Sequence, residues 1–250
     1  MPEFTDYAPG TPSWVDLGSP DVDASVRFYG ELLGWDAMEA GPPEETGGYR
    51  MFLKGGKPVA GVGPPMQEGQ PPAWTTYVAT ADADAAAGAA REAGGQVFAP
   101  AFDVLDAGRM AILADPTGAV FGVWQAGRHR GAQLANEPGS FCWNELATRD
   151  MGAAKRFYAA VFGWDGVTGE YAGAPYTEFK LDGRTVAGGR ETTDAPPRWG
   201  VAFAVENCDA ATERATSLGG QVLFAPTTIP AGRFAVLADP QGAMFTVLAM

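Results

Sequence analysis

Trp14-Val15-Asp16-Leu17, followed by Pro20-Asp21, Arg27-Phe28-Tyr29 and Gly34-Trp35, returns later in the chain as Trp143-Asn144-Glu145-Leu146, followed by Arg149-Asp150, Arg156-Phe157-Tyr158 and Gly163-Trp164. Matched residues stand 129 positions apart throughout (143 − 14, 158 − 29, 164 − 35), so one unit has been copied without an insertion. A period this long marks a duplicated domain rather than a solenoid of short repeats. The 250 residues therefore divide into two halves of ordinary domain size, each able to bury a core.

Within the unit, Ser13 to Gly18 alternates, which puts Trp14 and Asp16 on one strand face and Val15 and Leu17 on the other. Ser19-Pro20-Asp21 then reads as a helix start: a capping oxygen, a proline in the first turn and an acid beside the positive helix end. Val22, Val26, Tyr29 and Leu33 recur at helical spacing, and Gly34 supplies the left-handed stop. Tyr49 to Leu53, the turn Lys54-Gly55-Gly56-Lys57 and Pro58 to Val62 read as a hairpin. After the Pro-rich stretch from Pro64 to Pro72 the order repeats. Trp74 to Thr80 is a strand, Asp82 to Ala93 a helix stopped by Gly94-Gly95, and Gln96 to Phe98 and Arg109 to Leu113 are strands. Asp115-Pro116-Thr117-Gly118 then turns into the strand Val120 to Trp124. The second half follows the same grammar, with Asp182-Gly183 as a two-residue hairpin turn and Asp239-Pro240-Gln241-Gly242 before its last strand. Residues 1–12 read as a loose arm, and Gln125 to Ser140 as a polar linker carrying the sole histidine, His129.

A hydrophobic content of 46% with 19% charged residues is that of a globular protein. Seventeen Lys and Arg against 30 acids give a net charge of −13, which disfavours nucleic acid as a partner. Cys142 and Cys208 have no disulfide or zinc spacing and read as buried thiols. The N-terminus lacks the pattern of a signal peptide and no apolar run reaches the roughly 20 residues of a membrane span, so a cytoplasmic protein without membrane contact is expected.

Four strand-helix-strands units paired as two domains, with Phe-Tyr late in each first helix and Asp-Pro-x-Gly before each last strand, resemble the vicinal oxygen chelate superfamily. That superfamily contains glyoxalase I, extradiol dioxygenases, fosfomycin-resistance enzymes and bleomycin-resistance proteins. More narrowly, Trp-Val-Asp-Leu and Trp-Asn-Glu-Leu look like tandem-domain actinobacterial proteins labelled glyoxalase-like or hydroxylase. The resemblance implies an α+β fold of two glyoxalase-like domains, residues 13–125 and 140–250 joined by a linker over 126–139. Each would be a pair of βαβββ modules forming a cup-shaped mixed sheet with helices outside. It also implies a monomer with an internal pseudo-twofold, or a homodimer.

Metal enzymes of this superfamily hold a divalent ion inside the cup from three strands. The corresponding positions here are Trp14, Thr75 and Gly122 in the first half and Trp143, Gly200 and Thr246 in the second, none of them a histidine or carboxylate. Such an ion needs about three or more nitrogen or oxygen ligands, so no metal is expected. With no dinucleotide Gly-rich turn to hold a cofactor, none is expected either.

Alternation lists what should face each cavity: Trp14, Asp16, Thr75, Tyr77, Val120 and Trp124 in the first cup, and Trp143, Glu145, Gly200, Ala202, Met244 and Thr246 in the second. The second cup is lined by smaller groups and is expected to have more room. Trp74 and Trp199, on the opposite phase, read as core. Asp16 and Glu145 are candidate catalytic residues, because a carboxylate in an apolar cup can act as a general base. Trp14, Tyr77, Trp124, Trp143 and Thr246 are candidate ligand contacts. Arg109 and Arg233, each following a glycine, are either surface residues paired with acids or an anion-binding rim. The expectation is a protein that binds a small, largely apolar or aromatic molecule without metal, in natural-product sequestration, resistance or tailoring. The alternative is an isomerase, lyase or hydroxylase-like enzyme using Asp16 or Glu145 as base.

Overall fold

Side-chain oxygens begin the four long helices: the carboxylates of Asp21, Asp82 and Asp150 and the amide oxygen of Asn207 each accept a backbone N–H three residues on. Gly34 and Gly163 end the first helix of each half with φ of 72° and 71°, the left-handed stop that favours glycine. The first cap is Asp21 rather than the expected Ser19. Ser19 Oγ is instead bonded to Ser25 Oγ and to Gln241 Oε1 of the other half, both at 2.9 Å.

The structure, a computed structural model, describes residues 4–67 and 69–250. Its first half runs β1 (Pro12–Gly18), α1 (Val22–Leu33), β2 (Asp36–Glu39), a short α2 (Pro43–Thr46), β3 (Arg50–Lys54) and β4 (Lys57–Gly63). It continues with β5 (Ala73–Ala79), α3 (Ala83–Glu92), β6 (Gln96–Val104), β7 (Gly108–Ala114) and β8 (Val120–Ala126). The second half repeats this as β9 (Phe141–Thr148), α4 (Met151–Phe162), β10 (Asp165–Tyr171), β11 (Ala174–Leu181) and β12 (Arg184–Glu191). Its second module is β13 (Arg198–Ala204), α5 (Cys208–Ser217), β14 (Gln221–Ile229), β15 (Gly232–Ala238) and β16 (Met244–Ala249). Every module is thus βαβββ, and each half is one mixed eight-stranded sheet, ordered β2-β3-β4-β1-β5-β8-β7-β6 and β10-β11-β12-β9-β13-β16-β15-β14. The first strands of the paired modules meet antiparallel at the centre, each flanked by the last strand of its own module in parallel.

The two sheets stand back to back. Thr76 on β5 donates to Asn144 Oδ1 on β9 at 2.8 Å, and both side chains are buried. These residues have the opposite phase to Tyr77 and Trp143, so the faces that carry those two aromatics point away from each other. The helices lie outside the cups but inside the molecule, α1 against α5 and α3 against α4. One core cluster combines Tyr29, Trp35 and Trp74 of the first half with Phe203, Leu237 and Phe245 of the second. The other combines Phe121 and Leu113 with Tyr158, Trp164 and Trp199. Trp74 and Trp199 are core, as their phase requires.

The motifs that define the repeat meet across the halves. Tyr158 Oη donates to Asp115 Oδ2 at 3.1 Å and accepts from Trp199 Nε1 at 2.8 Å. Its counterpart Tyr29 donates to Asp239 Oδ2 at 3.2 Å and accepts from Trp74 Nε1 at 3.0 Å. Desolvation drives both phenols well above their ordinary pKa, so they remain neutral donors.

The arm and linker are packed parts of this arrangement, contrary to expectation. Gly10 N–H donates to Ala79 O and Gly10 O accepts from Trp164 Nε1 at 2.7 Å. In the linker, Gly139 N–H donates to Ala204 O and Gly139 O accepts from Trp35 Nε1 at 2.7 Å. Both glycines have positive φ, 86° and 80°, and they stand 129 residues apart, so the last part of the linker is the second copy of the arm. Ala132, Leu134 and Ala135 are buried. Both cysteines are also buried, and desolvation pushes the Cys142 thiol up to about 12. Among the described residues no helix is long and apolar enough to cross a membrane.

Candidate functional site

Each cup is built around a tryptophan and an acid on its central strand, bridged by a tyrosine from the hairpin. In the first, Trp14 Nε1 donates to Tyr49 Oη at 3.0 Å and that hydroxyl donates to Asp16 Oδ2 at 3.3 Å. In the second, Trp143 Nε1 donates to Tyr176 Oη at 2.9 Å and that hydroxyl donates to Glu145 Oε2 at 3.1 Å. Glycines opposite the acids make room: a Cβ on Gly61 would lie 1.8 Å from Tyr49 Oη, and one on Gly188 would lie 1.9 Å from Tyr176 Oη. Sequence reasoning missed both tyrosines. The available signal was a glycine inside each β4-type strand, which marks a close approach by something else.

From this shared base the cups diverge. In the first, Tyr77 lies over Gly122, where a Cβ would come within 2.2 Å of its ring. Tyr77 also bonds Asp16. Trp124 closes the end by donating to His129 O at 2.9 Å. His129, expected in an open linker, instead sets its ring edge-on to Trp14 at 4.3 Å and to Trp124 at 5.6 Å. It reaches the cup because the linker folds back, with Ala132 N–H donating to Ser13 O. Its Nε2 is buried without a hydrogen-bond partner among the described residues, and burial pulls its pKa down to about 4. Trp14 is left 3% exposed.

In the second cup the register puts Ala202 and Thr246 where the first has Tyr77 and Gly122, and Leu248 where it has Trp124. Trp143 is half-buried rather than sealed, and Met244 and Phe224 remain exposed on the same sheet. Glu145 gains a partner that Asp16 lacks, accepting from Arg190 Nε at 2.8 Å.

Arg109 and Arg233 each pair with the helix of their own module. Arg109 bonds Asp84 and Asp103, and Arg233 bonds Asp209 and Thr228. Both are paired with acids of their own modules, and two other arginines, Arg190 and Arg198, lie on the Glu145 face of the second sheet. A cavity of about 550 Å³ borders the first cup at His129, between the arm and linker, lined by Phe4, Pro58 and Gln133 among others.

The donor set does not fit a divalent ion held as the superfamily's metal enzymes hold it. Indole, threonine hydroxyl and glycine occupy the expected ligand positions, the central strand of each cup offers one carboxylate, and the described residues contain no group of three or more His, Cys, Asp or Glu placed to bind a metal.

Asp16 gives the first cup a titration of its own. With no cation beside it among the described residues, desolvation raises its pKa from the ordinary 3.8 to about 7, against the lowering effect of the Tyr77 and Tyr49 hydrogen bonds. The folded state thus keeps a proton that the unfolded chain releases above about pH 4, and this stabilisation is lost as pH rises to about 7. His129 works in the opposite sense, since its lowered pKa removes stability as pH falls through about 6.5 toward 4. Asp16→Asn isolates the first effect. Relative to wild type, the variant is expected to gain on the order of 3 kcal/mol in urea unfolding between about pH 4 and pH 8. A constant difference across that range would contradict the assignment.

Family models match both halves. The Glyoxalase/Bleomycin resistance protein/Dioxygenase superfamily covers residues 11–123, and a glyoxalase-like domain covers residues 142–248. Over 255 residues the chain is 45% identical to a putative glyoxylase of Mycobacterium tuberculosis, covering 99% of this chain and 98% of that one. It is 44% identical over 262 residues to the anthracycline biosynthesis protein DnrV of Streptomyces peucetius, covering 98% and 95%. Among solved structures, the Mn(II)-bound glyoxalase of Novosphingobium aromaticivorans superposes with a TM-score of 0.65 at 16% identity, covering 96% of this chain and 82% of that one. The 2,3-dioxygenase LapB of Pseudomonas sp. KL28 superposes with a TM-score of 0.66 at 13% identity, covering 96% and 92%; at these identities the likeness is one of fold. With its paired βαβββ modules, two cups and end-to-end relatives, the chain belongs to the glyoxalase, bleomycin resistance protein and dioxygenase superfamily.

Proposed function

We propose that the protein binds a flat, largely aromatic small molecule in its second cup, without a metal ion. The observation that carries this reading is the asymmetry of a duplicated site: Tyr77, Trp124 and His129 fill the first cup, whereas Ala202, Thr246 and Leu248 leave Trp143 only partly buried in the second. A tryptophan face beside small and apolar groups suits a polycyclic ring, with Tyr176 and Glu145 as polar groups that fix its orientation. Kinship with two anthracycline biosynthesis proteins favours such a ligand. Residue roles follow: Trp143 stacks, Thr246 lines the floor, and Trp14, Tyr77 and Trp124 serve the first cup as its packed lining.

A second reading, an enzyme of this fold, is favoured by the raised pKa of Asp16, which suits a general base. Mass analysis separates the two: a binder returns its ligand unchanged, and an enzyme loses turnover in Asp16→Asn or Glu145→Gln. The binding site itself is tested with fluorotryptophan-labelled protein titrated with a hydroxyanthraquinone. The fluorine resonance that disappears in Trp143→Phe is expected to shift. A shift confined to the resonances of Trp14 and Trp124 would place the ligand in the wrong cup.

A further inference from the structure

The face of the second cup carries two arginines, beyond Glu145 on the side away from Trp143, that the first cup does not have. Arg190 on β12 and Arg198 on β13 both pair with Ala147 of β9, one from each side. Alternation puts both on the face of Glu145, two residues from Ala147. The register-matched residues around Gly18 in the first half are Gly63 and Ala73, so the charge belongs to one copy of the repeat. Sheet spacing puts the two backbones roughly 10 Å apart, a span that guanidinium groups on long stems can close.

The charges on this face do not cancel. Glu145 is held by Arg190, and Glu178, also on this face, is paired with Lys180. Arg198 has no carboxylate partner among the described residues; it donates a hydrogen bond to Pro196 O at 3.4 Å. It is also half-buried, and desolvation and the nearby Arg190 lower its pKa, with Glu145 opposing. A partly desolvated guanidinium without a counter-charge is unfavourable by itself and favourable once an anion arrives. In a chain of net charge −13 this local surplus cannot be ascribed to a generally basic surface.

We propose that the second cup selects ligands bearing an acidic group, a carboxylate or ionised phenol on an aromatic frame, and seats that group between Arg198 and Arg190 with the ring toward Trp143. This rests on the binding reading above and adds the chemical class of the ligand.

Naphthoate and naphthamide, matched in shape and differing in charge, test it by calorimetric titration at low salt. Wild-type protein is expected to bind naphthoate about tenfold or more tightly than naphthamide, with the preference shrinking as salt is added. Arg198→Gln is expected to bring the two probes within about twofold of each other. Equal affinities in wild type, or a preference unchanged in Arg198→Gln, would overturn the acidic-group assignment while leaving aromatic binding in place. If neither probe binds, both the assignment and the binding reading fall. The wild-type comparison stands even if the variant fails to fold.

Discussion

Asp115→Ala is expected to destabilise the protein by about 3–5 kcal/mol, the combined cost of leaving two buried donors without an acceptor. Asp115 is 1% exposed and does two things at once. Its Oδ1 accepts from the backbone N–H groups of Thr117, Gly118 and Ala119 and from the Thr117 hydroxyl, which holds the Asp-Pro-Thr-Gly turn. Its Oδ2 accepts from Tyr158 of the other half. Alanine would leave Ala119 N–H and the Tyr158 hydroxyl buried without an acceptor, and each such loss costs on the order of 1–3 kcal/mol. For a chain of this length the melting temperature should fall by on the order of 10 °C. Tyr158→Phe removes a single bond in the same network and should cost about 1–2 kcal/mol. Thermal unfolding of both variants checks the ranking. An Asp115→Ala melting curve superimposable on that of wild type would mean that the turn and the cross-domain bond are incidental.

The double variant Ala202→Tyr/Thr246→Gly is expected to abolish ligand binding to the second cup, weakening it by at least about tenfold. The pair transplants the packing of the first cup, in which a tyrosine lies over a glycine at the same register positions. Thr246→Gly is needed because a Cβ beneath such a ring falls 2.2 Å from it in the first cup. Ala202→Tyr alone would force a clash, and overpacking typically costs about 1–3 kcal/mol. The double change supplies both members of a pair that already packs in this protein, so binding should be lost while the fold is kept. The added ring occupies the volume next to Trp143 that a ligand would fill.

Much of the fold was legible because the chain repeats itself. The glycine stops at Gly34 and Gly163 and the Asp182-Gly183 turn are local signals and stand where the sequence puts them, whereas the first helix cap shifts from Ser19 to Asp21. The short strand β2 escaped because Asp36 to Glu39 is exposed throughout and has no apolar alternation to read. The arm reads as loose on composition, although the repeat extends back to Pro9-Gly10 and Pro138-Gly139. At the site, alternation gave the inward Trp and acid of each half, but Tyr49 and Tyr176 enter from hairpins and His129 from a linker that folds back. No local periodicity encodes such contacts. Arg190 and Arg198 were invisible for a related reason: they become neighbours only when β12 and β13 flank β9. The meeting of Tyr29 with Asp239 and Tyr158 with Asp115 likewise belongs to the packing of the halves, although each of these residues had been marked by its motif.

Calorimetric titration of a hydroxyanthraquinone into wild-type protein and into Ala202→Tyr/Thr246→Gly, with both melting curves recorded alongside, tests the open second cup most directly. One binding site in wild type, lost in a double variant that still melts cooperatively, is the result expected here. Undiminished binding in the folded double variant would show that the ligand goes elsewhere and would contradict the account.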